Sequence, residues 1–222
     1  MDLTSKKPSR KLIRQARNER GPRTYEAAEI QTLLNAAEPN MKAMILLGIN
    51  CGFGQTDLAN LTSSAVDFDK NMIDYPRQKT AVQRRCPIWP ETAEALQSVI
   101  KNRPTPKSEL DMDIIFITKY GHRWVRESET EKRSWTDAVQ LQFGKLSRNL
   151  DLHKPRFGFY TLRHTFETIA GESADQVAVD FIMGHARDDM SSIYRERIGL
   201  ERLQKIVHHV HDWVFPPKDS ET

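Results

Sequence analysis

Ile30, Leu33, Leu34 and Ala37 fall at i, i+3, i+4 and i+7, the spacing that lines one face of an α-helix with apolar side chains. Thr24 stands ahead of this run as an N-cap, with Glu26 and Glu29 near the positive end of the helix dipole. Pro39 is expected to end it. Residues 41–50 are apolar enough for a buried helix, Gly52 and Gly54 break it, and residues 57–61 read as a short helix after the break. From residue 65 to 89 the period changes. Val66 and Phe68 alternate with polar residues, Asp69-Lys70-Asn71 makes a turn, and residues 72–75 and 84–89 read as two further strands with Lys79-Thr80 near the turn between them. Helical spacing returns at residues 90–100, where Ala93, Leu96, Val99 and Ile100 share a face. Residues 102–107 form a proline-containing loop, 114–118 a short buried strand or turn, and 135–146 a helix. Leu162, Phe166, Ile169 and Ala170 share a helical face and place Arg163 near the start of its helix. Residues 174–183 predict another helix, stopped by Gly184. A last one carries Leu200, Leu203, Ile206, Val207 and Val210 and closes at Pro216-Pro217. The fold class is therefore α+β, mainly α, with a small three-stranded antiparallel sheet.

Composition narrows the class. No run of about 18 apolar residues is present, so no membrane span is expected, and the basic N-terminus lacks the apolar stretch of a signal peptide. Cys51 and Cys86 without a secretion signal read as buried, reduced thiols of a cytoplasmic protein. Charge is unevenly placed. Residues 1–23 hold eight basic and two acidic side chains, a net of +6, against +3 for the whole chain, so residues 24–222 sum to −3. Residues 1–23 read as a flexible basic lead-in or linker end, and residues 24–222 as the folded domain. A basic tail can lie along nucleic acid by counterion release, but a case for nucleic-acid binding by the domain has to rest on local patches.

The chemistry concentrates near the C-terminus, in Tyr160-Thr-Leu-Arg163-His164-Thr165, Met183-Gly184-His185 and Ile193-Tyr194. A guanidinium grips phosphate with a planar fork of donors, an imidazole moves protons near neutral pH, and a phenol can attack as a covalent nucleophile. His185 follows Arg163 by 22 residues, and Tyr194 follows His185 by 9. These boxes at these spacings resemble the tyrosine recombinase (phage integrase) family, over roughly residues 24–210. The resemblance implies metal-free, cofactor-free cleavage and rejoining of double-stranded DNA for integration or excision. In that scheme Tyr194 forms a 3′-phosphotyrosyl link, Arg163 and His185 hold the scissile phosphate, and Lys79 protonates the leaving 5′-oxygen. Arg77, Thr80, Arg84, Arg85 and His164 are the accompanying candidates for DNA contact. It also implies self-association on DNA, with residues 200–215 docking on a neighbouring subunit. The family's N-terminal DNA-clamping domain has no counterpart in these residues.

Two positions depart from the family pattern. The first arginine of its G-x-R-x-x-E-L segment falls on Gly54 of Gly52-Phe53-Gly54-Gln55-Thr56-Asp57-Leu58, and the histidine that opens its H-x-x-R box is Tyr160. A glycine has no side chain to hold phosphate, and a tyrosine is a poor base near pH 7. Arg84 or Arg187 could supply the lost charge. The alternative reading is a DNA-binding relative with weak or no catalysis. His208, His209 and His211 lack further ligands for a metal and read as a solvated helix face. Gly52 and Gly54 belong to no complete nucleotide-binding loop.

Overall fold

The computed structural model describes residues 9, 11, 21–77, 81–127, 135–185 and 198–217. Helices α1 (Ala27–Ala36), α2 (Pro39–Asn50) and α3 (Gln55–Ala59) come first. Strands β1 (Val66–Asp67), β2 (Met72–Asp74) and β3 (Arg85–Pro87) follow, then α4 (Pro90–Lys101). A second hairpin, β4 (Val125–Glu127) and β5 (Trp135–Asp137), precedes α5 (Ala138–Asn149), α6 (Tyr160–Gly171), α7 (Gln176–Met183) and α8 (Leu200–Val214). The first sheet is antiparallel in the order β1-β2-β3, with Val66 opposite Ile73 and Ile73 opposite Cys86. The mainly helical class with a three-stranded sheet is as expected. The two-stranded sheet, with Val125 opposite Asp137, is an addition.

Nearly all of α2 is buried, and α1, α4 and α6 pack around it. Asn50, fully buried at its end, joins three parts of the chain. Its Nδ2 donates to Pro87 O at 3.1 Å, and its Oδ1 accepts from Trp89 N at 2.9 Å and Thr92 Oγ1 at 3.0 Å. Trp89 Nε1 donates in turn to Val207 O of α8 at 2.9 Å. The hairpin that ends in β3 is thereby fastened to the central and last helices through buried, fully paired polar groups, an arrangement that fixes one geometry.

Several boundaries move for physical reasons. α1 begins at Ala27, and its N-cap is Glu26, whose backbone N–H is met by Glu29 Oε2 at 3.0 Å. Thr24 does not cap it, because Tyr25 is drawn into the core, edge-on to Phe143 and Phe157, with its N–H donated to Thr165 Oγ1 at 2.9 Å. Pro39 starts α2 instead of ending α1; its missing N–H costs nothing in a first helical turn. Residues 135–137 pair as a strand, and α5 begins only at Ala138, capped by Asp137 Oδ1 accepting from Gln140 N at 2.8 Å. Residues 114–118 make only the isolated bridges Thr62↔Ile114 and Ile117↔Arg123. Cys51 and Cys86 are free and buried, and burial raises the Cys86 thiol well above its ordinary value.

The apolar stripe of α8 faces the chain's own core. Leu203, Ile206, Val207, Val210 and Val214 are buried against the chain's own α6, α7, α1 and β3. Each fully buried aliphatic side chain contributes roughly 1.5–3 kcal/mol, so this helix leaves its own core only for an equivalent apolar surface. His211 is not simply solvated. It sits between the Trp89 and Phe215 rings at centroid distances of 5.1 Å, with Nε2 3.2 Å from Glu91 Oε1. Among the described residues no group of His, Cys, Asp and Glu is placed to hold a metal, and no helix is long and apolar enough to cross a membrane.

Candidate active site

Four chain segments meet at one place: the α2–α3 corner, the first-sheet hairpin, the first turn of α6 and the C-terminal end of α7. Arg163 sits in that first turn because Phe159, Leu162 and Phe166 anchor the helix in the core. Its side chain is only 2% exposed. Nη1 donates to Gly52 O, and Nη2 donates to Met183 O at 3.0 Å and lies 2.9 Å from His185 Nε2. One guanidinium thus joins three segments through a rigid fork that a lysine cannot reproduce.

The contact with His185 decides its tautomer. Arginine has only donors, so His185 Nε2 accepts and the ring proton sits on Nδ1, which faces Asp180 Oδ1 at 3.5 Å. Burial first, and the Arg163 charge second, hold the imidazole below its ordinary value, so the ring is neutral near pH 7, with its Nε2 lone pair engaged by Arg163. Gly184 delivers it there. At φ +64°, ψ +37° it forms the left-handed C-cap of α7, and a Cβ at that position would lie 2.8 Å from Arg77 Cβ. The glycine before His185 is required on both counts. The sign for stability follows from the depressed value: the unfolded chain binds this proton more readily than the folded one. Stability is therefore expected to fall as pH drops through about 6.5, the ordinary histidine value. Urea unfolding across pH 5–7.5 should show that decline, and His185→Gln should flatten it.

The α2–α3 corner contains the two glycines. Gly52 has φ +63°, and its carbonyl faces Arg163. Gly54 is different: at φ −95°, ψ 175° its backbone accepts any residue, and its N–H donates to Asp57 Oδ2 at 2.9 Å. A Cβ built on Gly54 would stand 3.2 Å from Cε2 of Tyr160. The tyrosine ring thus leans over the backbone from which the family's first arginine would project. The two departures from the family pattern are one spatial event.

The hairpin brings in Arg77 and Arg84. Its arms close at Arg77 N→Val82 O (2.9 Å) and Ala81 N→Arg77 O (2.8 Å), and Arg77 Nη1 reaches toward Gly184 O at 3.4 Å. Burial, then the Arg77 charge, lower Arg163 from its ordinary value, the mark of cations crowded where an anion is favoured. Arg84, a candidate for DNA contact, is 1% exposed. Its Nη2 pairs with Asp57 Oδ1 at 2.9 Å, its Nε donates to Tyr75 O at 2.8 Å, and its guanidinium lies 4.1 Å over the Phe53 ring. Arg85, the next residue, points the other way, half exposed and 3.2 Å from Asp74. His164 lies beside the site, edge-on to Tyr160 at 5.2 Å.

Of the residues expected to form the site, the fold brings together Arg163, His185, Tyr160, Arg77 and the Gly54 backbone, with His164 alongside, and it sets Arg85 apart. Lys79, Thr80, Arg187 and Tyr194 lie outside the described residues. The sequence reading missed Asp57 and Asp180. Asp57 stands at the acidic position of the Gly52–Leu58 segment and could have been found there. Asp180 carries no comparable signal.

Comparison with known proteins gives a consistent result. The model of the phage integrase family matches residues 23–198. The chain is 24% identical over 217 residues to the tyrosine recombinase XerD of Ralstonia nicotianae, covering 93% of this chain and 67% of that protein. It is also 24% identical over 208 residues to the tyrosine recombinase XerC of Alcanivorax borkumensis, covering 90% and 64%. Among solved structures, the crystal structure of XerA recombinase superposes with a TM-score of 0.61 at 20% identity, over 93% of this chain and 66% of that one. The integrase from mycobacterium phage Brujita gives 0.62 at 18% identity, over 90% and 61%. The Tn1549 transposon integrase in complex with transposon right-end DNA gives 0.58 at 18% identity, over 83% and 64%. The chain thus spans about two thirds of the length of these relatives.

Proposed function

Since this chain belongs to the phage integrase family, we propose that it cleaves and rejoins double-stranded DNA through a phosphotyrosyl intermediate on Tyr194. The observation that carries the reading is the meeting of Arg163, in the first turn of α6, and His185, just past the end of α7, at 2.9 Å, with Arg77 and Tyr160 around them. A phosphate entering there meets a guanidinium fork for its non-bridging oxygens and a neutral imidazole that accepts a proton at Nε2 once the phosphate has drawn the Arg163 donor away from it.

The step balances without an outside reactant. The Tyr194 oxygen attacks phosphorus, the bond from phosphorus to the 5′-oxygen breaks, and the phenolic proton passes to His185 Nε2. Lys79 supplies the proton that the departing 5′-oxygen takes up. A phenol has an ordinary pKa of about 10, so the attack depends on that acceptor and on positive charge around the phosphate. The phosphodiester energy is kept in the tyrosyl bond, and a free 5′-hydroxyl reverses the reaction. Assembly of several copies on DNA belongs to the same proposal. Residues 200–215 would serve it by exchanging their own core for a partner's equivalent surface.

A pool of nicked duplexes carrying randomised inverted repeats tests this reading, because the short 5′-hydroxyl fragment diffuses away and traps the intermediate. The expected result is a protein–DNA adduct that survives denaturation and maps by peptide mass to Tyr194. Retained DNA binding with no adduct would leave a DNA-binding protein without strand cleavage.

A further inference from the structure

Arg84 has more donors than the fold uses. Nε and Nη2 are satisfied by Tyr75 O and Asp57 Oδ1, but Nη1 is buried without a hydrogen-bond partner among the described residues. A charged donor shut away from water and left unpaired is costly, so it marks a place where an acceptor belongs. The guanidinium lies over the Phe53 ring, 4.1 Å from its centroid, and beside the Tyr75 ring, 5.3 Å from its centroid. Such packing fixes its orientation before any ligand arrives.

Its position is as telling as its spare donor. The carboxylate that binds Arg84 through Oδ1 binds the Gly54 N–H through Oδ2, at 2.9 Å in each case. One carboxyl group therefore separates this guanidinium from the backbone where the family's first arginine would begin. On the opposite side its stem meets Gly184: a Cβ there would lie 3.4 Å from Arg84 Cδ. Arg84 thus spans from the Gly54 corner to the residue before His185. The space directly over Gly54 is taken by the Tyr160 ring, so a second guanidinium has to come from beneath.

We infer that Arg84, reaching in from the hairpin, supplies the second guanidinium of the phosphate site that Gly54 cannot supply. The assignment rests on the phosphotyrosyl reading above. Arg84 acts through its unpaired Nη1, either on the phosphate itself when Tyr160 moves aside or as fixed positive charge directly below it; both lower the charge that develops in the transition state. A purely structural Arg84 would only tie α3 to the hairpin, through Asp57 Oδ1 and Tyr75 O; an arginine returned at position 54 does not rebuild that tie, so recovery of cleavage tells the two roles apart.

Single-turnover cleavage of the nicked duplex selected above separates the two roles. Arg84→Lys is expected to remain folded by circular dichroism and to cleave about 10²- to 10³-fold more slowly, the range for removing one preorganised donor. Adding Gly54→Arg together with Tyr160→His to Arg84→Lys restores an arginine at the family's position with room for it, and should recover cleavage at least about tenfold. A folded Arg84→Lys that cleaves within twofold of the parent chain overturns the assignment. A folded triple variant no faster than Arg84→Lys does so as well. Should Arg84→Lys unfold, the apolar pair Asp57→Leu with Arg84→Met replaces the tie without its charge, and unimpaired cleavage by that variant is equally fatal. The parent chain is the control. If it forms no adduct, the phosphotyrosyl reading fails before any variant is compared, and this assignment falls with it.

Discussion

Arg163→Lys is expected to slow single-turnover DNA cleavage by about 10²- to 10³-fold or more, the cost of losing a preorganised transition-state donor, and to destabilise the fold as well. The Arg163 fork meets Gly52 O, Met183 O and His185 Nε2 together. A lysine ammonium keeps the charge but cannot span those three directions at once. At least one carbonyl is then left buried without a donor, which costs about 1–3 kcal/mol. The imidazole is freed to turn, so the base is misplaced even where it is retained. Urea unfolding beside single-turnover kinetics reads both effects. A lysine variant that cleaves at the parent rate would remove Arg163 from the chemistry, and one that loses cleavage with unchanged stability would remove it from the architecture.

Gly52→Ala should be the next most damaging change, and it acts without touching a charged group. Gly52 sits at φ +63°, where a Cβ costs roughly 1–2 kcal/mol. That Cβ would also stand 2.9 Å from Phe166 Cδ1, inside a side chain that is fully buried and has little freedom to yield. The combined loss is expected at about 2–4 kcal/mol, in the range of strained core substitutions. Relief of the strain moves the Gly52 carbonyl away from Arg163, so cleavage should fall too. Gly54→Ala, two residues on, is the internal control. Its φ of −95° suits any residue, its new Cβ meets the edge of the partly exposed Tyr160 ring at 3.2 Å and Asp57 Oδ2 at an ordinary 3.6 Å, and its cost should stay within about 1 kcal/mol. Denaturation midpoints of the two alanine variants decide this, and equal losses would refute the reading of the corner.

The two glycines show how much the linear order conveyed. Both read from sequence as breakers after a buried helix, and both are. Nothing in the Gly-Phe-Gly string distinguishes the one that must be glycine from the one that merely is, because the side chains that a Cβ at Gly52 would meet, Phe166 and Met183, come from distant segments. Helical spacing located α1, α4, α6 and α8 well, since their apolar faces are regular. It failed at residues 135–137, where three residues carry too little periodicity to separate a strand from a helix start. It also failed at Thr24, where a suitable capping side chain lost to the burial of Tyr25.

The candidate site divides the same way. Arg163, His185 and Tyr194 were legible as a set because their spacings of 22 and 9 residues match the boxes of the family. Arg84 and Arg85 were not separable, since both are basic and adjacent. A strand sends neighbours to opposite faces, and which of two arginines turns inward depends on how the hairpin packs against Asp57 of α3. The order of residues alone determined the helical class, the small sheet, the family boxes and the two departures at Gly54 and Tyr160. Only the tertiary structure decided that these departures meet in space, that Arg84 lies buried beside them with a donor unspent, and that α8 covers its own core. Each of those is a contact between residues far apart in the chain, fixed by close packing and by the pairing of buried polar groups, and local patterns of apolar and polar residues carry no record of it.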